Sequence, residues 1–399
     1  MKTRWLTTRY SVIQIAYWGA YCALSGYASV FLTGKGFSAG QTGTLMALGN
    51  VMAALLQPVA ASVADRGKRL SLKSLMLSVG GIGAAALLAL CVTGRQFWPV
   101  CLAFAVAMVS IQVLQPLINA VGMYYMNQGE SLNFGLARGL GSVGYAGVSY
   151  LMGILAQRLG ENIIPLLAFL LCIPFLLLTG SFRISRAGEG DKGRQKERPG
   201  EEHRENLFQF LRGYGSFAVL LLGIACMFTF HFMTNTYMYQ MIQAVGGNSQ
   251  DMGTAVSLAA LTEIPVMAFF AWLVKRIRVE RLLRTAAVLW VVRAILFCLC
   301  TNVTGIYLVQ LMQMVTYGLY IPASVYYANQ VMEEGRKVQG QALVTMAFTV
   351  GSVFGNFLGG VIIDQSSVHT MLMAGTAFTA AGAVCFFRGT AGKNLREKC

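Results

Sequence analysis

About twelve apolar runs, each close to the length of a bilayer-spanning helix, divide this chain and leave no stretch free to fold as a separate catalytic domain. They cover residues 10–33, 39–63, 71–93, 97–125, 137–157, 161–182, 214–242, 252–274, 282–301, 304–328, 341–362 and 368–387. A spanning helix needs roughly 20 predominantly apolar residues, so the pattern specifies an all-α membrane protein. Composition agrees: 12% of the residues are charged, against about a quarter in a soluble domain.

The net charge of +15 would suit a nucleic-acid ligand, but its positions report topology instead. Lys2, Arg4 and Arg9 precede the first run, and Arg66, Lys68, Arg69 and Lys73 follow the second. Arginines and lysines fill the central loop from Arg183 to Arg212, and Lys275, Arg276, Arg278, Arg281 and Arg284 follow the eighth run. Arg336 and Lys337 follow the tenth, and Arg388, Lys393, Arg396 and Lys398 the twelfth, whereas the intervening loops hold only Lys35, Arg95 and Arg158. This alternation is the positive-inside rule. It predicts a multi-pass protein with both termini and the central loop in the cytoplasm, and it removes nucleic acid as a partner. Lys2 and Arg4 ahead of an apolar stretch imitate a signal peptide; the spans that follow and the lack of a clear cleavage site make it an uncleaved first helix. The nine cysteines lie almost wholly in spans, without zinc-like or secreted-framework spacing, so neither metal nor disulfide is expected.

The hydrophilic stretch 183–212, rich in both charges and in glycine, reads as a flexible linker between six spans and six. The halves resemble each other. Tyr124-Tyr125-Met126-Asn127-Gln128 returns as Tyr326-Tyr327-Ala328-Asn329-Gln330. Gly141-Ser142-Val143 returns as Gly351-Ser352-Val353, and Ala61 and Arg66 fall opposite Ala271 and Arg276 at that same offset. Parallel repeats of this kind build carriers that rock two halves around a midplane site. The expected organisation is an N-terminal bundle over 1–182, the linker, a C-terminal bundle over 213–388 and a tail over 389–399.

Acidic residues sit in or near polar connections or chain ends, with one exception: Glu263 stands inside the apolar run Ala255–Leu273. A carboxylate at bilayer depth costs about 2.5–3.5 kcal/mol on insertion scales and marks a substrate, ion or proton site by default. A carboxyl group whose surroundings change between two conformations can load a proton in one and release it in the other. Pro265 removes a backbone donor and weakens the helix beside it. Arg293 is the other deep charge and the natural partner of Glu263, directly or through water. A purely structural ion pair, or a permanently neutral acid, is the bland alternative.

Ala64-Asp65-Arg66-Gly67-Lys68-Arg69 resembles the loop between helices two and three of the major facilitator superfamily, although the glycine usual before the aspartate is Ala61. Asn133-Phe134-Gly135-Leu136-Ala137-Arg138-Gly139-Leu140-Gly141-Ser142-Val143-Gly144-Tyr145 resembles the span-five signature of that superfamily's lactose permease branch, which also holds phenylpropionate and nucleoside permeases. Leu136 stands where the signature has its first arginine. Leu32 to Ser38 and Gln57-Pro58 fit the same branch, and the likeness covers nearly the whole chain. It implies twelve transmembrane helices in two pseudo-symmetric six-helix bundles in a bacterial cytoplasmic membrane, working as a monomer. It also implies that Arg138 contacts substrate, that Tyr145 stacks against a ring, and that Glu263 and Arg293 link substrate to the proton. Read from chemistry alone, Arg138 is equally a snorkelling interfacial cation and Tyr145 a packing aromatic. Asp65, Arg66 and Arg69, with Tyr124 and Tyr326 near the cytoplasmic ends, are gating candidates.

Departures from the branch limit the inference. Its acidic sugar ligand in span four corresponds to Ala120, its span-seven aspartates to Thr229 and Phe232, and its span-ten coupling residues to Gln310, Gln313 and Thr316. What remains is a lining of amides: Asn50, Gln57, Gln112, Gln115, Asn119, Asn235, Gln240, Gln310 and Gln313. Amides both donate and accept, which suits a hydroxylated or heterocyclic ligand, and they also tie helices together. Gln115, Asn119, Asn235 and Gln313 are the substrate-side candidates among them. His231 reads as a hydrogen-bonded structural histidine. No Walker-type phosphate loop and no nucleophile–base set occurs, so neither an enzyme, an ATP-driven pump nor a cofactor is expected. The sequence favours a proton symporter of a small sugar, nucleoside or organic acid. The alternatives are a proton-antiport multidrug carrier, which twenty methionines would suit, and a transporter-like sensor.

Overall fold

The computed structural model describes residues 2–66, 71–182, 212–333 and 336–391; the expected linker up to residue 211 and the tail beyond 391 lie outside them. All regular structure in the described residues is helical. The first half holds α1 (Lys2–Tyr21), a π-helical turn (Cys22–Gly26), α2 (Ala28–Gly34), α3 (Ala39–Arg66), α4 (Leu72–Val92), α5 (Phe97–Asn127), α6 (Phe134–Leu159) and α7 (Ile163–Ser181). The second holds α8 (Gly215–Thr236), α9 (Met238–Ala244), α10 (Ser249–Arg276) and α11 (Val279–Leu299). It continues with α12 (Val303–Leu311), α13 (Tyr317–Val331), α14 (Lys337–Gln365) and α15 (Val368–Gly389).

Among the described residues ten helices are long and apolar enough to cross a membrane, and the pair Trp5–Gly26 and Ala28–Gly34, bent by 45°, makes an eleventh if taken as one span. The run expected at 304–328 is not one helix. It is α12 and α13, with a turn over residues 312–316 between them. The runs at 10–33 and 214–242 are likewise interrupted, at Tyr27 and Tyr237. Helix starts follow local chemistry: the side chains of Ser71, Asn133, Asn302 and Ser367 each accept from the N–H three residues on, satisfying a donor that the helix leaves orphaned. Large apolar side chains face outward, among them Leu102, Leu177 and Phe269, each about 70% exposed (69%, 70% and 69%). In water this surface would aggregate; against lipid tails it is the solvated face.

The sequence repeat has a structural counterpart. Tyr27 and Tyr237, which share the spacing of the Gly141 and Gly351 motifs, have nearly the same backbone angles (φ −105°, ψ 16° and φ −101°, ψ 21°). Both are fully buried and donate to a backbone carbonyl, Tyr27 to Ser149 at 2.6 Å and Tyr237 to Ala39 at 3.2 Å. Gly36 and Gly246 end the two segments with φ of 92° and 83°. A methyl on Gly141 would come 2.6 Å from Trp18, and one on Gly351 2.6 Å from Phe228, the residue that Trp18 becomes in the repeat.

Contacts group the chain into two compact units, Met1–Lys192 with Asn235–Leu261, and Gly193–Thr234 with Thr262–Cys399. In the first, α1 packs on α6 and α7, α4 on α5 and α7, and α3 on α5. In the second, α11 packs on α13 and α15, and α13 on α14. Residues 235–261, which lie in the second half by sequence, therefore pack within the first unit. There the hydroxyl of Ser149 donates to Gly253 O (3.3 Å), Ser249 to Gln157 Oε1 (3.0 Å) and the Gln240 amide to Thr33 Oγ1 (3.3 Å). Gly253 makes the crossing possible, since a methyl there would lie 2.6 Å from both Ser149 O and the Tyr27 hydroxyl.

Candidate functional site

In the second unit Glu263 and Arg293 belong to one hydrogen-bonded network, and Gln313 connects them. The Gln313 amide donates through Nε2 to Glu263 Oε1 at 2.8 Å, while its Oε1 accepts from Arg293 Nη1. Arg293 also donates through Nη1 to Thr316 Oγ1 (3.2 Å) and through Nη2 to Gln310 Oε1 (2.6 Å). A guanidinium has no acceptor, so the amide oxygen of Gln313 must face Arg293, which leaves its NH2 for the carboxylate. Chemistry fixes the orientation of the bridge. Arg293, Gln310 and Gln313 are 2%, 1% and 4% exposed; Glu263 is half-buried. The sequence anticipated the pair, but not that a glutamine side chain would span it.

The break in span ten builds this network. Gln313, Met314 and Val315 donate to carbonyls three residues back, and Gly318 to the one five back, that of Gln313, at 2.9 Å. Tightening and then widening of the ladder turns Gln310, Gln313 and Thr316 toward Arg293, and such interruptions recur at functional sites. Gly318 lets the acid approach: a methyl there would meet Glu263 Cα at 3.3 Å. Beside the network, the ring of His231 stacks on Tyr317 at 4.7 Å and meets the edges of Phe228 and Trp290. His231 is thus part of an aromatic cluster.

The first unit holds the span-five arginine. Arg138 lies over the Trp18 ring at 4.1 Å and donates to Ser142 Oγ at 3.2 Å. Trp18 Nε1 donates to Gln14 Oε1 (3.1 Å), Gln14 Nε2 to the Tyr10 hydroxyl (3.0 Å), and that hydroxyl to Ile118 O (3.0 Å). Gln14, 1% exposed, anchors the tryptophan that carries the arginine. Sequence reading missed it, although a lone amide in an apolar run was a usable signal. Tyr145, half-buried, puts its hydroxyl beside Gly26, at the π-helical turn of span one.

The amides divide into two groups. Gln112 donates to Asn50 Oδ1 at 3.0 Å and Gln57 to Gln112 O at 3.0 Å, tying α3 to α5. Gln115 and Asn119, one turn apart on α5, are half-buried with no hydrogen bond to the described residues. Asn235 is exposed at the end of α8. Of the gating candidates, Tyr124 packs edge-on against Tyr125, and Tyr326 against Phe270 at 5.4 Å. Arg69 lies outside the described residues, and for Asp65 and Arg66 only the backbone at the end of α3 is described.

A bent, interrupted helical array with apolar flanks and a buried polar network is a membrane transporter fold, and comparison with known proteins places it. The profile described as MFS_1 like family matches residues 7–374, and the chain belongs to that family of the major facilitator superfamily. It is 24% identical to the Bacillus subtilis transporter YwbF over 362 residues, 89% of this chain and 86% of that one. The maltose permease of Geobacillus stearothermophilus is also 24% identical, over 92% of this chain and 90% of the permease. Among solved structures, the nucleoside transporter NupG superposes with a TM-score of 0.82 at 14% identity, covering 98% of this chain and all of NupG (100%). A bacterial homologue of the lysosomal transporter Spinster gives 0.69 at 12%, over 97% of each chain. The protein is a multi-pass membrane transporter of a small molecule, not an enzyme.

Proposed function

We propose that this transporter is a proton symporter that imports a small hydroxylated solute, such as a sugar or nucleoside, with a small organic acid as the remaining class. The observation that carries this reading is the Glu263–Gln313–Arg293 bridge at the break in span ten. A carboxylate held by an amide that is itself held by a guanidinium senses any movement of the turn over 312–316. Such movement changes how well its charge is compensated and therefore whether it holds a proton. In the first unit, Arg138 on its tryptophan and the amides Gln115 and Asn119, without a hydrogen bond among the described residues, supply donors and acceptors for a ligand's hydroxyls. Maltose permease and the nucleoside transporter are named for solutes of that chemistry.

The positive-inside pattern puts both termini and the Tyr124 and Tyr326 ends in the cytoplasm, with those tyrosines and Asp65, Arg66 and Arg69 as the inner gate. The test uses right-side-out vesicles with a pH electrode outside. After a stabilisation screen has identified a solute, its addition should raise the external pH as it enters. Alkalinisation of the medium as solute leaves through the protein, protons entering in exchange, would instead mean antiport, and the proposal fails.

A further inference from the structure

A second polar site lies in the second unit and shares no residue with the Glu263 network. The connection from α10 to α11, with the ends of α13 and α15, lines a half-open cavity of about 1000 Å³. Among the described residues five cations line it, Lys275, Arg276, Arg278, Arg281 and Arg284, against the one carboxylate of Glu280. That carboxylate is already committed: Arg278 Nε lies 3.6 Å from one oxygen, and Gln330 Nε2 donates to the other at 3.1 Å. Arg284 is held in place by bonds to Thr390 Oγ1 (2.7 Å) and Thr390 O (2.8 Å), and Arg276 by the Trp272 ring at 4.4 Å. Lys275 and Arg281 are exposed and have no partner among the described residues. The wall is completed by Tyr326 and Asn329.

The positive-inside rule explains cations at this end of the helices, but not a half-open cavity that holds some of them in fixed positions and leaves others without a partner among the described residues. The start of α11 adds to the field. Its N-cap, Arg278, makes no side-chain cap bond, and Glu280 is the acid that its first turn sets against the positive end of this 21-residue helix. An anion here would find the Arg281 guanidinium and the Lys275 ammonium uncommitted among the described residues, and a guanidinium fork suits phosphate oxygens. The geometry points to a binding site for a phosphate-bearing anion at the cytoplasmic end of the second unit. Its occupant is either the headgroup of an anionic phospholipid or a soluble phosphorylated metabolite. Such a ligand would pin the α10–α11 connection to the end of α13, the segment that carries Tyr326.

The two sources separate experimentally on the purified full-length protein. One arm measures retention of phosphatidylglycerol over phosphatidylcholine by native mass spectrometry after delipidation and re-addition. The other measures thermal stabilisation by inorganic pyrophosphate against sodium chloride at matched ionic strength. One arm should respond in the wild type. Arg281→Gln with Lys275→Gln, neither residue having a described partner to lose, should weaken that response about tenfold or more. Arg388→Gln removes a cation of the same membrane face outside the cavity and should leave it unchanged. The inference is overturned if neither probe responds, or if Arg388→Gln weakens the response as much as the cavity variant does, since bulk surface charge would then account for it.

Discussion

Replacing Arg293 with methionine tests whether Gln313 transmits anything between the charges it joins. The substitution keeps an unbranched apolar stem but removes three donated bonds, to Gln310, Gln313 and Thr316. Breaking a buried ionic partnership from one side costs about 3–5 kcal/mol, because the other charge is left uncompensated. Glu263 is only half-buried, and removing a desolvated guanidinium returns part of the loss. A cost of about 2–4 kcal/mol therefore follows. In the double variant with Glu263→Gln no stranded charge remains, so the two costs should fall short of additivity by about 1–2 kcal/mol. Unfolding in mixed dodecyl sulfate micelles, followed by tryptophan fluorescence, gives each value. Repeating the cycle in a Gln313→Leu background should remove most of the coupling. Additivity within about 0.5 kcal/mol in the original background, or coupling that survives the loss of Gln313, would refute the bridge.

Gln115→Ala and Asn119→Ala should leave stability within about 0.5 kcal/mol, since neither amide bonds to described residues, yet raise the KM for uptake several-fold. A stability loss without a KM change would make them structural. Trp18→Leu should weaken solute binding about threefold to tenfold, from a cation–π contact of about 0.5–1 kcal/mol together with the lost positioning of Arg138, as read by isothermal titration. Gly253→Val should force α6 and α10 apart, because even a methyl meets Ser149 O at 2.6 Å. Alkylation of a Ser149→Cys reporter should then become faster, and unchanged labelling would show that this crossing is not tight. Uptake by the wild type should slow as external pH rises, because the carboxyl group that must be loaded outside is then increasingly deprotonated. Glu263→Gln, whose amide does not titrate, should lose that dependence in exchange assays.

The fold was legible because lipid leaves few options. Long apolar runs must be helices. The duplication was legible in the Gly141 and Gly351 motifs, and the structure extends it to Tyr27 and Tyr237, where matching backbone angles interrupt both segments. Those interruptions were not readable, since no proline or charge marks them: Ser25-Gly26 and Thr234-Asn235-Thr236 are neutral residues that a spanning helix also tolerates. The break at 312–316 was hidden for the same reason: Met312, Met314 and Val315 continue the apolar run, and Pro322 lies well beyond it. Glu263 and Arg293 stood out because charge is rare at that depth. Gln313 and Gly318 did not, because their roles depend on which helices approach each other.

The central claim is that Glu263 carries the proton. Solute accumulation against its gradient and solute exchange without net flux should therefore be measured side by side in vesicles containing Glu263→Gln. The account predicts that exchange persists while accumulation driven by an imposed pH gradient disappears. Accumulation equal to that of the wild type would contradict it.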